Sequence, residues 1–177
     1  KNNFKKKNKN ILTVGSLAKE KGLDTIIKAL SNIKSENFQL DIFGKEYDKK
    51  QKEKKNLNYL IKKNLLEKKI KIHGFKKNLT NYYKKADLYV NASHIEGFST
   101  AIIDAINYNL PIICSDCGGG NREITLNGQG GDLFQMGDHF ELSKKINNFF
   151  NNPKILLAKN KKAKKFIKNY SERNNKK

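Results

Sequence analysis

Short apolar runs alternate with amphipathic segments along most of this chain. Six of these runs are typical of buried strands, and they cover residues 11–15, 38–43, 70–73, 88–91, 112–115 and, more weakly, 132–134. Strands that are apolar throughout and alternate with helices predict a parallel sheet that is covered on both faces. With right-handed crossovers, the expected fold class is α/β, a doubly wound Rossmann-like parallel sheet of about six strands with helices on both faces.

The segments between the strands carry apolar residues at helical spacing. Asp24 is expected to be the N-cap of the first helix. The residues that this helix would bury are Ile26, Ile27, Leu30 and Ile33. A lysine-rich helix before the third strand would bury Leu57, Leu60, Ile61 and Leu65. Near the end of the chain, a helix over residues 140–150 precedes Pro153, which opens a second, very basic helix.

Composition divides the chain into three parts. Residues 1–10, KNNFKKKNKN, are too polar to build a core and are predicted to be a basic linker. Residues 11–152 hold the Rossmann-like domain, and residues 153–177 form the basic C-terminal helix, which we expect to fray after about Tyr170. A chain of 177 residues can bury one sizeable core. Because it begins with Lys rather than Met, we interpret it as a piece of a longer protein.

Candidate ligand-binding residues collect at one expected edge of the sheet. In sheets of this class, ligands bind beyond the carboxyl ends of the strands. The fourth strand runs into a loop that contains Glu96, and Asp104 follows about one and a half turns into the next helix. Between the two carboxylates, the backbone N–H groups of residues 97–100 point out of the helix start, which is a typical anion site. Carboxylates that bind hydroxyls beside such a helix start suit a nucleotide-sugar.

The chain is strongly basic, with a formal net charge of +20. Three explanations of this charge are possible: nucleic-acid binding, attraction to an anionic membrane surface, and a compositional bias toward Lys, Asn and Ile. Proteins that read phosphates and bases favour arginine, yet Arg122 and Arg173 are the only two arginines. We therefore expect no nucleic-acid partner and favour compositional bias, with some help at an anionic membrane surface.

The two cysteines, Cys114 and Cys117, form a single C-x-x-C pair. A structural zinc site needs four ligands, and no second Cys or His pair has a suitable spacing. A redox dithiol would stand at a helix start, whereas this pair spans a strand end and enters a run of glycines. We predict neither metal nor redox use, and without a disulfide framework a reducing cytoplasm is the natural setting.

Five blocks of sequence carry a resemblance to a known family. They are VGSLAKEKG (14–22), HGF (73–75), EGFSTAIIDA (96–105), LPIICSDCGGGNREI (110–124) and NGQGGDLFQMGD (127–138). In order and spacing they closely resemble the C-terminal, donor-binding half of a GT-B glycosyltransferase of the family 4 (group 1) retaining type. The resemblance implies that residues 11–152 are a nucleotide-sugar-binding domain. It also implies an N-terminal acceptor domain outside these 177 residues.

The first block is where the resemblance places the donor diphosphate. Family members carry an arginine directly after the glycine that corresponds to Gly15, and a lysine five residues later. Here Ser16 occupies the arginine position, and Lys21 matches the lysine. A serine hydroxyl donates one hydrogen bond without charge, whereas an arginine clamps two oxygens. Either neighbouring lysines such as Lys19 compensate, or this protein holds phosphate more weakly.

Glu96 and Asp104 match the two acidic positions of the family's E-x7-E pattern. The resemblance makes Glu96 the catalytic residue, which contacts donor-sugar hydroxyls and stabilises positive charge at the anomeric carbon. Asp104 would bind both ribose hydroxyls, although it is one methylene shorter than the usual glutamate. The other donor-binding residues implied are Gly97, Phe98, Ser99 and Thr100, through their backbone N–H groups, and Phe75. Phe75 would flank the nucleobase, with a place in the core as the alternative.

The implied reaction is retaining transfer of a sugar from a nucleotide diphosphate sugar, with a UDP-sugar favoured, to a glycan or lipid-linked acceptor. No Asp-x-Asp motif of the metal-dependent type is present, so we predict no metal and no cofactor. The expected partners are the donor, the missing N-terminal domain and an anionic membrane surface. We expect a cytoplasmic protein, peripheral at the inner face of the membrane, whose fragment alone is inactive.

Three alternatives stand beside this interpretation. The main one is a non-catalytic module that binds an anionic surface or nucleic acid through its lysine-rich helices. An NAD-dependent Rossmann protein is disfavoured, because Gly15-Ser-Leu-Ala-Lys does not supply Gly-x-Gly-x-x-Gly after the first strand. A nonhydrolysing sugar-nucleotide epimerase shares the two-domain architecture and is the third.

Overall fold

The computed structural model describes residues 8–33 and 37–174, with side chains up to residue 169. Six strands form the sheet: β1 Lys9–Val14, β2 Phe38–Phe43, β3 Ile70–Gly74, β4 Leu88–Asn91, β5 Ile112–Asp116 and β6 Asp132–Gln135. The helices of the described residues are α1 Leu23–Ser31, α2 Lys52–Lys63, α3 Thr80–Lys85, α4 Thr100–Asn107, α5 Gly119–Ile124, α6 His139–Asn151 and α7 Pro153–Asn174. A short 3-10 turn covers Lys19–Lys21.

The sheet has the strand order β3-β2-β1-β4-β5-β6, and every neighbouring pair is parallel. The chain winds outward from β1 to β3, returns to the centre, and then winds outward from β4 to β6. The point where the order reverses therefore lies between β1 and β4, where Ile11 is opposite Leu88. The predicted fold class is confirmed, and the exits of β1 and β4 become the expected ligand edge.

Two apolar layers cover the sheet because successive strand residues face opposite sides. Ile11 belongs to the layer under α1, α2 and α6, whereas Leu12 belongs to the layer under α3, α4 and α5. Helix α7 contributes to both layers: Leu156 packs in the first, and Ala163 and Ile167 pack in the second. The basic C-terminal helix is therefore part of the packed domain.

The predicted strands agree with the observed ones to within two residues at each end. The first strand begins at Lys9, so the last two residues of the predicted linker belong to the sheet. Residues 1–7 of that linker lie outside the described residues. Helix α7 continues to Asn174, beyond Tyr170, where we expected fraying to begin. None of the described helices combines the length and apolar character needed to cross a bilayer.

Asp24 is not the N-cap of α1, so that prediction is wrong. The N-cap is Gly22, whose backbone adopts a left-handed conformation with φ of 59°. A Cβ atom at Gly22 would lie 2.1 Å from the carbonyl oxygen of Ala92, so this close approach admits only glycine. Asp24 stands in the first turn instead, where its carboxylate accepts a hydrogen bond from Lys28 Nζ at 2.7 Å.

The prediction that Leu65 is buried is also wrong. Helix α2 ends at Lys63, and Leu65 follows with a left-handed φ of 57° and a side chain that is 84% exposed. The turn directs the next residue, Leu66, into the core instead. A helical period predicts burial only while the helix continues, and α2 ends two residues before Leu65.

We predict that Gly44→Ala lowers the free energy of unfolding by about 1–3 kcal/mol, the usual cost of overpacking. The added Cβ would lie 1.7 Å from the carbonyl oxygen of Gly15, so the exits of β1 and β2 would have to separate. Urea unfolding of the purified chain measures the change. Gly97→Ala is the matched control because its Cβ would meet open space, and an equal loss in both variants would contradict the explanation.

Candidate functional site

The crevice at the centre of the sheet is built from the loops that leave β1 and β4. The β1 loop passes through Gly15 and Ser16 into the 3-10 turn that ends at Lys21. The β4 loop is joined to it by the backbone N–H of His94, which donates to the carbonyl of Glu20 at 2.7 Å. Together with the close approach of Gly22 to Ala92, this bond places the two loops side by side.

Lys21 and Glu96 meet in this crevice as an ion pair. The Nζ atom of Lys21 lies 3.1 Å from Oε2 of Glu96, and the two side chains are 24% and 14% exposed. The same oxygen accepts a hydrogen bond from Ser93 Oγ at 2.8 Å and lies 3.4 Å from Asn91 Nδ2. A cation and a carboxylate are thus held together, and both are still open to a ligand.

The start of α4 follows directly on Glu96. Gly97 and Phe98 lead to Ser99, which is the N-cap with an extended backbone, and Thr100 is the first helical residue. The amide groups of a first helical turn have no acceptor within their own helix and carry partial positive charge, which favours an anion. Lys21 and these amides therefore supply positive potential at one edge of the sheet.

Asp104 borders the larger of two adjoining cavities, whose volume is about 640 Å³. This lies within the range of roughly 300–1,000 Å³ that is typical of small-molecule sites. Six of its lining residues are Lys77, Thr80, Tyr83, Thr100, Asp104 and Tyr108. Partial removal from water raises the pKa of the Asp104 carboxyl above its ordinary value. Tyr83 stacks on Tyr108 and gives the cavity a rigid aromatic wall.

Phe75 borders the second cavity, which has a volume of about 210 Å³ and meets the first at Val14 and Leu79. Phe75 is 73% exposed, so the alternative of a core aromatic is wrong. Gly15 and Ser16 form part of the same wall. An exposed ring beside a cavity can stack on a planar group.

The cations beside Ser16 are Lys45 and Lys76, because both line the smaller cavity with it. Lys19, which we considered as the compensating lysine, has an exposed side chain and lies toward Glu53. Burial raises the pKa of the Glu53 carboxyl, and the charge of Lys19 partly opposes that rise. A lysine on the β2 loop and another on the β3 loop thus share a cavity with Ser16, which occupies the family's arginine position in sequence. Both lysines are more than twenty residues from Ser16 in the sequence, so only the fold brings them to the same cavity.

His73 and the cysteines play structural parts in the observed packing. His73 Nε2 lies 2.6 Å from Asp41 Oδ1, and its ring stacks on Phe43 with centroids 4.4 Å apart. Cys114 is buried and Cys117 is partly buried; both thiols are free, and burial raises the pKa of each. Among the described residues, no group of three or more His, Cys, Asp or Glu side chains could hold a metal ion.

The structure thus places all the predicted site residues along the carboxyl edge, in two neighbouring groups. Glu96 and Lys21 are in direct contact, whereas Asp104 and Phe75 belong to the adjoining cavities. Sequence reasoning missed the partners of Glu96, which are Asn91 and Ser93. Their signal was available: both are polar residues at the end of an otherwise apolar strand, directly before the ligand edge.

The fold and the site define an α/β domain of the class that binds ligands at the switch point of a parallel sheet. Its crevice combines fixed cations, a helix start and two carboxylates, which suit a ligand with both phosphate and hydroxyl groups. The chain belongs to the group 1 glycosyl transferases, because the model of the family described as "Glycosyl transferases group 1" matches residues 1–173. The resemblance inferred from the motifs is confirmed.

Two curated relatives are similar over most of this chain. An uncharacterized glycosyltransferase of Haemophilus influenzae is 27% identical over 168 residues, which are 94% of this chain and 46% of that protein. A Campylobacter jejuni protein is 30% identical over 158 residues, which are 89% of this chain and 42% of that protein. It is named N-acetylgalactosamine-N,N'-diacetylbacillosaminyl-diphospho-undecaprenol 4-alpha-N-acetylgalactosaminyltransferase. The chain therefore spans less than half the length of these relatives.

A solved structure with the same fold is Anabaena Alr3699/HepE in complex with UDP and glucose. It superimposes with a TM-score of 0.84 and 23% sequence identity, over 90% of this chain and 43% of that chain. At this identity the likeness shows the fold. The family match does not favour the alternative of a non-catalytic binding module.

We predict that the stability of the Asp104→Asn chain, compared with that of the wild-type chain, increases as the pH rises. The pKa of Asp104 is raised in the folded state, so the folded chain binds more protons than the unfolded chain between the two pKa values. Stability due to this group therefore falls as pH rises through that interval and stays lower above it. Urea unfolding of both proteins between about pH 3 and pH 7 measures the difference. A wild-type chain that gains stability over the variant with rising pH would contradict the assignment.

Proposed function

We propose that this chain is the donor-binding half of a retaining glycosyltransferase, which transfers a sugar from a nucleotide diphosphate sugar to a glycan or lipid-linked acceptor. The observation that carries the proposal is the half-buried pair of Lys21 and Glu96 beside the start of α4, in a chain of this family. The acceptor would bind a second domain outside these residues. In support, the chain spans under half of each relative described above.

In this proposal the diphosphate lies between Lys21 and the first turn of α4. Glycosyl transfer breaks the bond between the anomeric carbon and the β-phosphate oxygen, so negative charge grows on the departing nucleotide. Lys21, the amides at Ser99 and Thr100, and the dipole of α4 would stabilise that charge. Glu96 would face the donor sugar, accept hydrogen bonds from its hydroxyls and stabilise the positive charge that develops at the anomeric carbon.

The nucleoside would occupy the two adjoining cavities. Phe75 and Tyr47 are both exposed beside the smaller cavity and offer faces for a base. Asp104, at the border of the larger cavity, would accept hydrogen bonds from the ribose hydroxyls. A UDP-sugar is the proposed donor, which is in keeping with the UDP and glucose in the Anabaena structure.

Neither a metal ion nor another cofactor takes part in the proposed reaction. Lys21, Lys45 and Lys76 supply positive charge at the edge where the diphosphate would lie. This use of fixed cations is the alternative to a divalent ion held by an Asp-x-Asp motif, and the chain lacks that motif.

The acceptor side of the proposal includes a membrane. The formal charge of +20 would draw the protein to anionic lipid at the cytoplasmic face of the membrane, where a lipid-linked acceptor is presented. The relative from Campylobacter is named for an undecaprenol-linked substrate, which is in keeping with this idea. Co-sedimentation with phosphatidylglycerol vesicles at low and high salt tests it, and equal binding to neutral vesicles would contradict it.

The test of donor binding is a calorimetric titration of the chain with UDP, GDP and their sugars. We predict that Lys21→Ala weakens UDP binding by about 10- to 100-fold, because a charge-assisted hydrogen bond to phosphate is lost. Lys19→Ala is the matched control, since Lys19 belongs to the same 3-10 turn but lies toward Glu53.

Two results would contradict the proposal. One is a chain that binds none of these nucleotides, and the other is an equal loss of UDP binding in the Lys21 and Lys19 variants. Binding of random DNA with a steep dependence on salt, indifferent to competing UDP, would instead favour the non-catalytic binding module.

A further inference from the structure

Behind Glu96 lies a group of four buried polar side chains that the proposed chemistry does not use. They are Asn91, Ser93, Ser115 and Asn121, and none is more than 5% exposed. They come from three elements at the carboxyl edge: the end of β4 with its loop, strand β5 and helix α5. Buried polar groups are costly unless they are paired, so the pattern of their hydrogen bonds matters.

Three polar contacts hold the same oxygen of the Glu96 carboxylate. Lys21 Nζ, Ser93 Oγ and Asn91 Nδ2 approach Oε2 at 3.1, 2.8 and 3.4 Å. None of these three contacts involves Oε1. A carboxylate that is held at one oxygen keeps a fixed direction at the other, so Oε1 is the oxygen available to a ligand.

Asn91 can donate to Glu96 because the rest of its amide is already fixed. Its Oδ1 atom accepts from the backbone N–H of Ser93 at 3.2 Å and from Asn121 Nδ2 at 3.3 Å. With two donors on the oxygen, the NH₂ group must turn toward Glu96. The orientation of Asn91 thus depends both on the backbone of Ser93 and on the side chain of Asn121.

Asn121 is held in turn by β5 and by the packing of α5. Its Nδ2 atom donates to the carbonyl of Ser115 at 2.9 Å, which requires the amide to point its nitrogen inward. A Cβ at the neighbouring Gly120 would lie 1.7 Å from the carbonyl of Gly97, so α5 and the Glu96 loop pack backbone against backbone. Asn121 Oδ1 is buried with no partner among the described residues, a cost that the nitrogen's contacts must offset.

Ser115 completes the network by fixing the loop that carries Ser93. Its hydroxyl donates to the carbonyl of Ser93 at 2.5 Å. The loop after β4 is therefore tied to β5 at the residue whose side chain makes the shortest contact with Glu96. Two routes, one through Asn91 and one through Ser93, lead from Asn121 and Ser115 to the same carboxylate oxygen.

We propose that Asn121 is the anchor of a buried positioning network that aims Oε1 of Glu96 at the donor sugar. Asn91 and Ser93 hold Oε2 directly, and Ser115 and Asn121 orient these two residues without touching the carboxylate. The inference has a geometric half, that Asn121 fixes the orientation of Glu96, and a functional half, that this orientation serves binding of the donor sugar. Only the functional half rests on the proposed function.

The geometric half is tested by a crystal structure of the ligand-free Asn121→Ala chain. Loss of Nδ2 removes one of the two donors to Asn91 Oδ1 and leaves only the backbone N–H of Ser93. We therefore expect the Asn91 amide to move away from Glu96 and the carboxylate to occupy more than one orientation. Ser143→Ala, a similarly buried polar residue on α6, is the control and should leave Glu96 unchanged. An unaltered Glu96 in the folded Asn121→Ala chain would overturn the proposal, whatever the chain binds.

The functional half is tested by the ratio of the dissociation constant for UDP to that for a UDP-sugar. This ratio isolates the part of the affinity that comes from the sugar. We expect Glu96→Gln, Ser93→Ala and Asn121→Ala each to lower the ratio by about tenfold, with UDP affinity changed less than about twofold. A purely structural role would instead weaken UDP and UDP-sugar alike.

The outcomes separate this inference from the proposed function. If the wild-type chain prefers the UDP-sugar and Glu96→Gln removes the preference, an undiminished ratio in folded Asn121→Ala overturns the inference alone. If the wild-type chain binds no nucleotide, the proposed function fails, and the crystal structure still decides whether Asn121 positions Glu96. Thermal unfolding of each variant confirms that the chain under test is folded.

Discussion

The close contact between two loop backbones, at Gly22 and Ala92, is the constraint on which the site depends. Parallel strands bring their carboxyl ends to one edge, but they leave the loops that follow free to diverge. Here the absence of a side chain at Gly22 lets that residue reach the carbonyl of Ala92, and the bond from His94 to Glu20 holds the loops together. Lys21 and Glu96, which are 75 positions apart in the sequence, can then form an ion pair. Gly22 is also the N-cap of α1, so the same residue starts the helix and lets the two loops of the crevice approach each other.

Most of the fold could be predicted from the sequence because buried parallel strands are apolar along their whole length. The same reasoning failed where one glycine or one turn decides the local backbone. Asp24 has the chemistry of an N-cap, but the tertiary contact at Gly22 starts the helix two residues earlier. Leu65 continues a helical period that the chain leaves at Lys63. Helix α5 was not predicted, because its glycines disfavour a helix and only packing against Gly97 explains it.

The candidate site was predictable where chemistry and position coincide in one short segment. Glu96 and the residues that follow it combine a carboxylate with a helix start, and the family resemblance connects that segment with donor binding. Lys45 and Lys76 could not be found in this way, because lysines are too common in this chain for any one to be distinctive. Asn121 could not be found either. Its importance rests on hydrogen bonds to residues 6 and 30 positions away, which only the packed sheet creates.

Helix α7 joins the two apolar layers, since Leu156 packs in one layer and Ala163 in the other. Between them, the Asn160 side chain donates to the carbonyl of Leu110, which ties the helix to the chain just before β5. The two faces of the sheet consequently share one element and cannot loosen independently. Unfolding of this helix would expose apolar surface on both sides at once, which favours a single cooperative transition. A proteolytic cut within it would therefore disturb the distant crevice through the loss of the whole fold, with no partly folded remnant left to bind a ligand.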